Sequence, residues 1–286
     1  MNLLAISDLH VGFDENREAL LAMRARPDDW LIVAGDVAER ESDIVDALRW
    51  LRERFARVIW APGNHELWTV SDDGARGNSK YALLVERCRA IDVLTPEDDY
   101  PIWSGAGGPH VIAPLFVLYD YSFADDGLSP AEALAWSERR GVVCADEALL
   151  HPDPFPSRED WCDHRIRLTE DRLAAAKKRH GLPMVLVNHF PLVRELAQLP
   201  AIPSFKIWCG TRRTASWPVR FGASVVVSGH LHIRSTRVIG TTRFEEVSLG
   251  YPGRQWDTRR GIDTYVRTIL GPDVAKTARQ ERPWRV

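Results

Sequence analysis

The 286-residue chain has little of several things that would announce a function class. No apolar run approaches the length needed to cross a bilayer as a helix. Cysteine is scarce: Cys88, Cys144, Cys162 and Cys209 stand far apart with no C-x-x-C pair. Neither a zinc ribbon nor a disulfide framework is therefore indicated, and reduced thiols are expected. Neither sign of charge dominates, since 37 Lys and Arg against 40 Asp and Glu leave a formal charge of −3. That is too weak a global field to recruit nucleic acid or an anionic membrane, so any attraction for anions must be local. The opening residues Met1 to Asp8 lack a basic n-region, and their apolar run is too short for a secretion signal. The expectation is a cytoplasmic protein with no membrane partner and no stable nucleic-acid partner. No internal repeat or low-complexity tract interrupts it, and 45% hydrophobic residues suffice to bury the core of one catalytic domain.

What is present is a repeated grammar of buried strand, polar cluster and helix. Leu3 to Ser7, Leu31 to Ala34 and Val58 to Ala61 read as strands, and Glu15 to Arg24 and Ser42 to Arg54 as amphipathic helices. This is an α/β pattern, with a sheet covered by helices. Each strand runs into a polar cluster: Asp8-Leu9-His10, Gly35-Asp36, then Gly63-Asn64-His65-Glu66. Ligand sites in α/β sheets lie at such carboxyl ends. From about Tyr119 to Asp163 the pattern turns irregular and proline-rich, helical only over Pro130 to Arg140. A helix over Asp163 to Lys178, stopped by Gly181, then leads to the strand Met184 to Val187 and the pair Asn188-His189. A second excursion over 196–222 precedes the strand Ser224 to Val227 and the cluster Gly229-His230-Leu231-His232. Thr236 to Ile239 and Arg243 to Ser248 read as a hairpin turning at Gly240. Residues 1–253 are expected to form the catalytic domain, with the segments near 120–160 and 196–222 as candidate lid or cap, and 254–286 as a peripheral tail.

Nine histidines occur, and five of them (His10, His65, His189, His230 and His232) fall directly after predicted strands beside Asp or Asn. Carboxylate oxygen, imidazole nitrogen and amide oxygen are the donors that hard or borderline divalent metals take. Any one of these clusters alone is commonplace in loops and caps, so the weight lies in the ordered set. The glycine before Asp36 removes a side chain where the backbone must turn, leaving the carboxylate free to reach inward. His110, His151, His164 and His180 are expected in loops or on helix faces, in solvent. Glu66 reads as a neighbour of the site or a helix-start residue, because another carboxylate beside His65 would add an unneeded negative charge.

The series D-x-H, G-D, G-N-H-E, N-H and G-H-x-H resembles the ordered motif set of the calcineurin-like metallophosphoesterases, from Asp8 to His232. The resemblance implies a four-layer α/β/β/α sandwich of two mixed sheets. It implies that Asp8, His10, Asp36 and His232 hold one metal ion, that Asp36, Asn64, His189 and His230 hold a second, and that His65 is the general acid. Manganese, iron and zinc are the metals this resemblance implies. Two such ions clamp phosphate oxygens and generate a nucleophile from water.

Protein serine/threonine phosphatases of this superfamily extend the second motif with Asp-Arg-Gly. Here Asp36 runs into Val37-Ala38-Glu39-Arg40, which disfavours that substrate class. Phrases such as V-I-W-A-P-G-N-H-E-L-W-T, L-V-N-H-F-P-L and R-F-E-E-V-S-L-G-Y-P resemble a bacterial branch that includes phosphopantetheinyl hydrolases. The implied substrate is holo-acyl or peptidyl carrier protein. Alternative readings are a phosphodiesterase or phosphatase acting on nucleotides or other small phosphates, or a non-catalytic scaffold, which the complete ligand set disfavours. Between Glu195 and Glu245 there is no acidic residue but seven Lys and Arg, among them Lys206, Arg212 and Arg213. With Trp208 these are candidate substrate contacts. The competing reading is that carboxylates are excluded there because they would compete for the metals, and that the tryptophan merely packs.

Overall fold

The computed structural model describes residues 1–70, 74–125, 127–272 and 274. Period-two alternation in the strands sorts their side chains onto two faces. Leu3, Ala5, Ile32, Ala34, Ile59 and Ala61 face one way and meet Ile112, Val185, Val187, Val225 and Val227 in a buried interlayer. The intervening Leu4, Ile6, Leu31, Val33, Val58 and Trp60 face the other way, toward helices. Strands buried on both faces read as continuous apolar runs, which is how they appear in the sequence.

In chain order the elements are β1 (Leu3–Ile6), α1 (Asp14–Leu21), β2 (Arg26–Val33), α2 (Glu41–Arg52), β3 (Phe55–Trp60), α3 (Gly77–Ala90), β4 (Val93–Leu94), β5 (Ile102–Trp103) and β6 (His110–Pro114). There follow α4 (Pro130–Glu138), α5 (Asp146–Leu149), α6 (Arg158–His180), β7 (Met184–Val187), α7 (Trp217–Arg220), β8 (Ala223–Ser228), β9 (Ser235–Ile239), β10 (Thr242–Glu246) and β11 (Arg267–Leu270). One sheet runs β11-β1-β2-β3-β4 and the other β5-β6-β7-β8-β10-β9. Both are mixed: β11 is antiparallel to β1, and β5 and β9 are antiparallel edges on a parallel centre. Two mixed sheets flanked by helices make the expected sandwich.

Several boundaries differ from expectation for local reasons. Helix α6 begins five residues early because the Ser157 hydroxyl accepts from the Asp160 N–H. Its C-cap, Gly181, is left-handed at φ 62°, as its position suggested. Helix α2 has no side-chain cap from Ser42; its start is favoured instead by Glu41 and Asp43 in the first turn. His110 begins a strand and is buried, its Nδ1 2.9 Å from the Gly108 carbonyl, rather than in solvent. The segment expected to be a peripheral tail supplies β11, paired with β1 at the rim of the first sheet, while its last residues lie outside those described.

The two excursions pack on each other. Thr211 Oγ1 donates to Asp120 Oδ2 at 2.7 Å, the Arg212 N–H to Ser122 Oγ at 2.9 Å, and Ser137 Oγ to Ser204 Oγ at 3.1 Å. They form one joint layer beside the carboxyl ends of the central strands.

Candidate metal centre

The loops leaving β1, β2, β3, β7 and β8 converge at one end of the two sheets. Asp8, His10 and His232 bring ligand atoms within 4.8 Å of one another, as do His10, Asp36 and His65, and Asp36, His189 and His230. The three groups form a chain, His10 joining the first two and Asp36 the last two. The turns that aim these side chains are strained. Asp8 (φ 54°), His10 (42°), Asp36 (55°), His230 (73°) and His232 (53°) all occupy the left-handed region, five of the seven non-glycine residues there among those described.

Three glycines make room in the site, two for carboxylates and one for a ring. A side chain at Gly63 would collide with the Asp36 carboxylate and sit 2.8 Å from its backbone N, and one at Gly229 would strike Asp8 and Ser7. Gly35, at φ 89°, leaves room for the His189 ring. Asp8 accepts hydrogen bonds from Ser7 Oγ (2.5 Å), Ser248 Oγ (2.8 Å) and the His230 N–H, with His232 Nε2 2.9 Å from its other oxygen. Burial opposes its ionisation, but His232 holds it well below the usual carboxylate range. Asp36 Oδ1 accepts from the His65 N–H at 3.0 Å, and its Oδ2 faces His189 Nε2 at 3.2 Å.

The donor set fits metal ions. Asn64 Oδ1 and His230 Nε2 are buried and have no hydrogen-bond partner, and both are atoms of a kind that can ligate a metal. Burial, then His65, pushes the His10 pKa down to about 3, and burial, then His189, does the same for His230. Neutral imidazole is the form that binds a metal; against the effect of burial, Asp36 raises His189 to about 10 and Asp8 raises His232, so these two rings would give up a proton on binding an ion. His189 Nδ1 lies 2.8 Å from the Ala34 carbonyl, an outer contact that fixes the ring with Nε2 inward.

Residues 1–234 match the calcineurin-like phosphoesterase family. The chain belongs to that family. It is 48% identical over 275 residues to the [acyl-carrier-protein] phosphodiesterase PptH of Mycobacterium tuberculosis, spanning 95% of this chain and 83% of the relative. The crystal structure of M. tuberculosis phosphopantetheinyl hydrolase superposes with a TM-score of 0.89 at 47% identity, covering 95% of this chain and 97% of the other. This calcineurin-like phosphoesterase is thus a metal-dependent hydrolase of phosphoric esters.

Four residues outside the expected ligand set, Glu66, Glu39, Trp68 and Asp146, surround the site of this phosphoesterase. Glu66 is fully buried and accepts from the backbone N–H groups of Asp36 (2.9 Å), Val37 (2.8 Å) and Gly63 (2.9 Å), so it ties two ligand loops together. The reading of an unneeded charge overlooked the donors waiting for it. Glu39 Oε1 lies 2.8 Å from His65 Nδ1, while Trp68 stacks on the His65 ring at 3.7 Å between centroids. Asp146 Oδ1 accepts from Asn64 Nδ2 at 2.9 Å and from Trp68 Nε1 at 2.6 Å. Burial opposes charging of His65, but Asp36 and then Glu39 raise its pKa to about 9.

The four candidate substrate contacts have other partners. Lys206 Nζ donates to Asp125 at 2.6 Å, Arg213 pairs with Asp163, and Arg212 donates to the Ser122 and Ala124 carbonyls. Trp208 is buried, and its Nε1 donates to Glu147 Oε1 at 2.7 Å. Lys206, Arg212 and Arg213 thus meet acids and carbonyls supplied by the facing excursion and by α6, and with Trp208 they help to join the two excursions.

Proposed function

We propose that this chain releases 4′-phosphopantetheine from the serine of holo-acyl carrier protein at a centre of two metal ions. The observation that carries the reading is the 48% identity to PptH over 95% of the chain, together with a donor set in which no expected ligand is missing. Asp8, His10, Asp36 and His232 would hold one ion, and Asp36, Asn64, His189 and His230 the other, Asp36 being shared. When bound, the ions polarise the phosphoryl oxygens and lower the pKa of water to near neutrality.

The remaining tasks fall to the chain. Asp8 stays ionised, and His10 and His230 stay neutral, for the reasons given above; Asp36 stays ionised because His189 lowers its pKa against the effect of burial. His65 carries the proton that the departing serine oxygen requires. Glu39 holds its Nδ1 and Trp68 supports its ring face, which leaves Nε2 to donate. Water adds to phosphorus, the P–O bond to serine breaks, and serine Oγ takes the proton. The test is the intact mass of holo-carrier protein incubated with the manganese-loaded enzyme. A shift to the apo mass supports the reading, whereas an unchanged carrier alongside hydrolysis of cyclic nucleotides or dinucleotides would move the substrate to small phosphodiesters.

A further inference from the structure

The first turn of α5 lies within the irregular excursion, 82 residues from Asn64 in sequence, yet its Asp146 enters the site. Asp146 is fully buried. Its Oδ1 receives two donors at once, the Asn64 amide at 2.9 Å and the Trp68 indole at 2.6 Å. An indole N–H only donates, so this oxygen must be the acceptor. The amide group that meets it is therefore the NH2 of Asn64, and the Asn64 oxygen is turned to the opposite side. There it is buried with no hydrogen-bond partner. Without Asp146 the amide has no fixed sense of rotation, and either its oxygen or its NH2 can face inward. Only the oxygen ligates a cation.

The neighbouring acid anchors the turn. Glu147 Oε1 accepts from Tyr121 (2.8 Å) and Trp208 (2.7 Å), and its Oε2 from Arg158 at 2.8 Å. Arg158 also donates to the Asp146 carbonyl at 2.7 Å. Residues from both excursions and from α6 therefore converge on the Glu147 carboxylate, while the adjacent Asp146 carboxylate takes Asn64 and Trp68 of the metal centre.

We propose that Asp146 is a positioning residue of the reaction, fixing the Asn64 amide with its oxygen toward the metal and seating Trp68 beneath His65, so that the excursion layer is a structural part of the catalytic centre. This rests on the reading of Asn64 as a ligand. Losing a partner that orients a ligand typically costs about 10–100-fold in metal affinity.

The test is titration of Mn²⁺ into the metal-stripped full-length protein, followed by paramagnetic resonance of free and bound ion, with melting of the metal-free protein recorded in parallel. Asp146→Ala is expected to weaken one class of Mn²⁺ site by about 10–100-fold and spare the other. Asp146→Asn keeps an acceptor oxygen and should restore near-normal affinity. Where Asp146→Ala does not fold, Asp146→Leu fills a similar volume without an acceptor and should show the same selective loss. Asn64→Ala separates the two ideas. If it leaves both site classes unchanged, the ligand reading fails. If it weakens one class while Asp146→Ala and Asp146→Leu lower only the melting temperature, the ligand reading stands and the positioning role of Asp146 is overturned.

Discussion

Gly63 carries no side chain, yet it sets what Asp36 can do. A Cβ there would meet the Asp36 carboxylate and its backbone N, the latter at 2.8 Å. Gly63→Ala is expected to cost about 1–3 kcal/mol, the usual penalty for overpacking, and to reduce bound metal; melting in chelator and metal analysis read the two effects separately. His65→Ala should lower kcat by about 10²–10⁴-fold, the worth of a positioned proton donor, with metal content unchanged. Full turnover in that variant would remove His65 from the acid's role. At this scale the sequence was legible wherever chemistry and position coincide: the Asp and His residues expected as ligands lie in three linked groups, with Asn64 next in sequence to one member, His65. Glu66 was legible in principle, since its tetrapeptide was singled out, but the N–H groups it satisfies belong to loops whose approach no local pattern encodes. Asp146 left no signal, because its partner Asn64 is 82 residues away and its surroundings have no periodicity.

Among the elements, strands such as Met184–Val187 could be read to the residue because burial on both faces makes them unbroken apolar runs. Short or rim strands could not. β4 and β5 have two residues each, and β11 has polar Arg267 and Thr268 beside Ile269 and Leu270, so its identity as a strand comes only from pairing with β1. Helices α3 and α6 are tied through a segment between them. Arg165 NH2 of α6 donates to Glu97 Oε1 at 2.6 Å, and Tyr81 of α3 donates to the same oxygen at 2.7 Å. Burial opposes ionisation of Glu97, but Arg165 lowers its pKa below the ordinary value of 4.5. The ionised form is thus favoured by folding. Its contribution is complete above that value and is lost as pH falls through the lowered folded pKa. In melts recorded with chelator, Glu97→Gln should therefore sit below the parent at neutral pH and converge with it in acid. Parallel curves across pH would show that the pair contributes nothing.

For the molecule as a whole, two sheets present five loops at one end, and a layer built from both excursions covers the adjoining flank. No helix among the described residues is long and apolar enough to cross a membrane. Ions that bind the folded chain and not the unfolded one stabilise it by mass action, so adding Mn²⁺ should raise the melting temperature and a chelator should reverse the rise. A melting curve indifferent to both would contradict the donor set described here. The proposed reaction is hydrolysis at phosphorus of the carrier's phosphopantetheine linkage. It is tested most directly by treating holo-carrier protein with the manganese-loaded enzyme in ¹⁸O-water and weighing both products. The expected products are unlabelled apo-carrier and a phosphopantetheine whose phosphate carries the ¹⁸O. An unchanged carrier, or label on the serine, would contradict it.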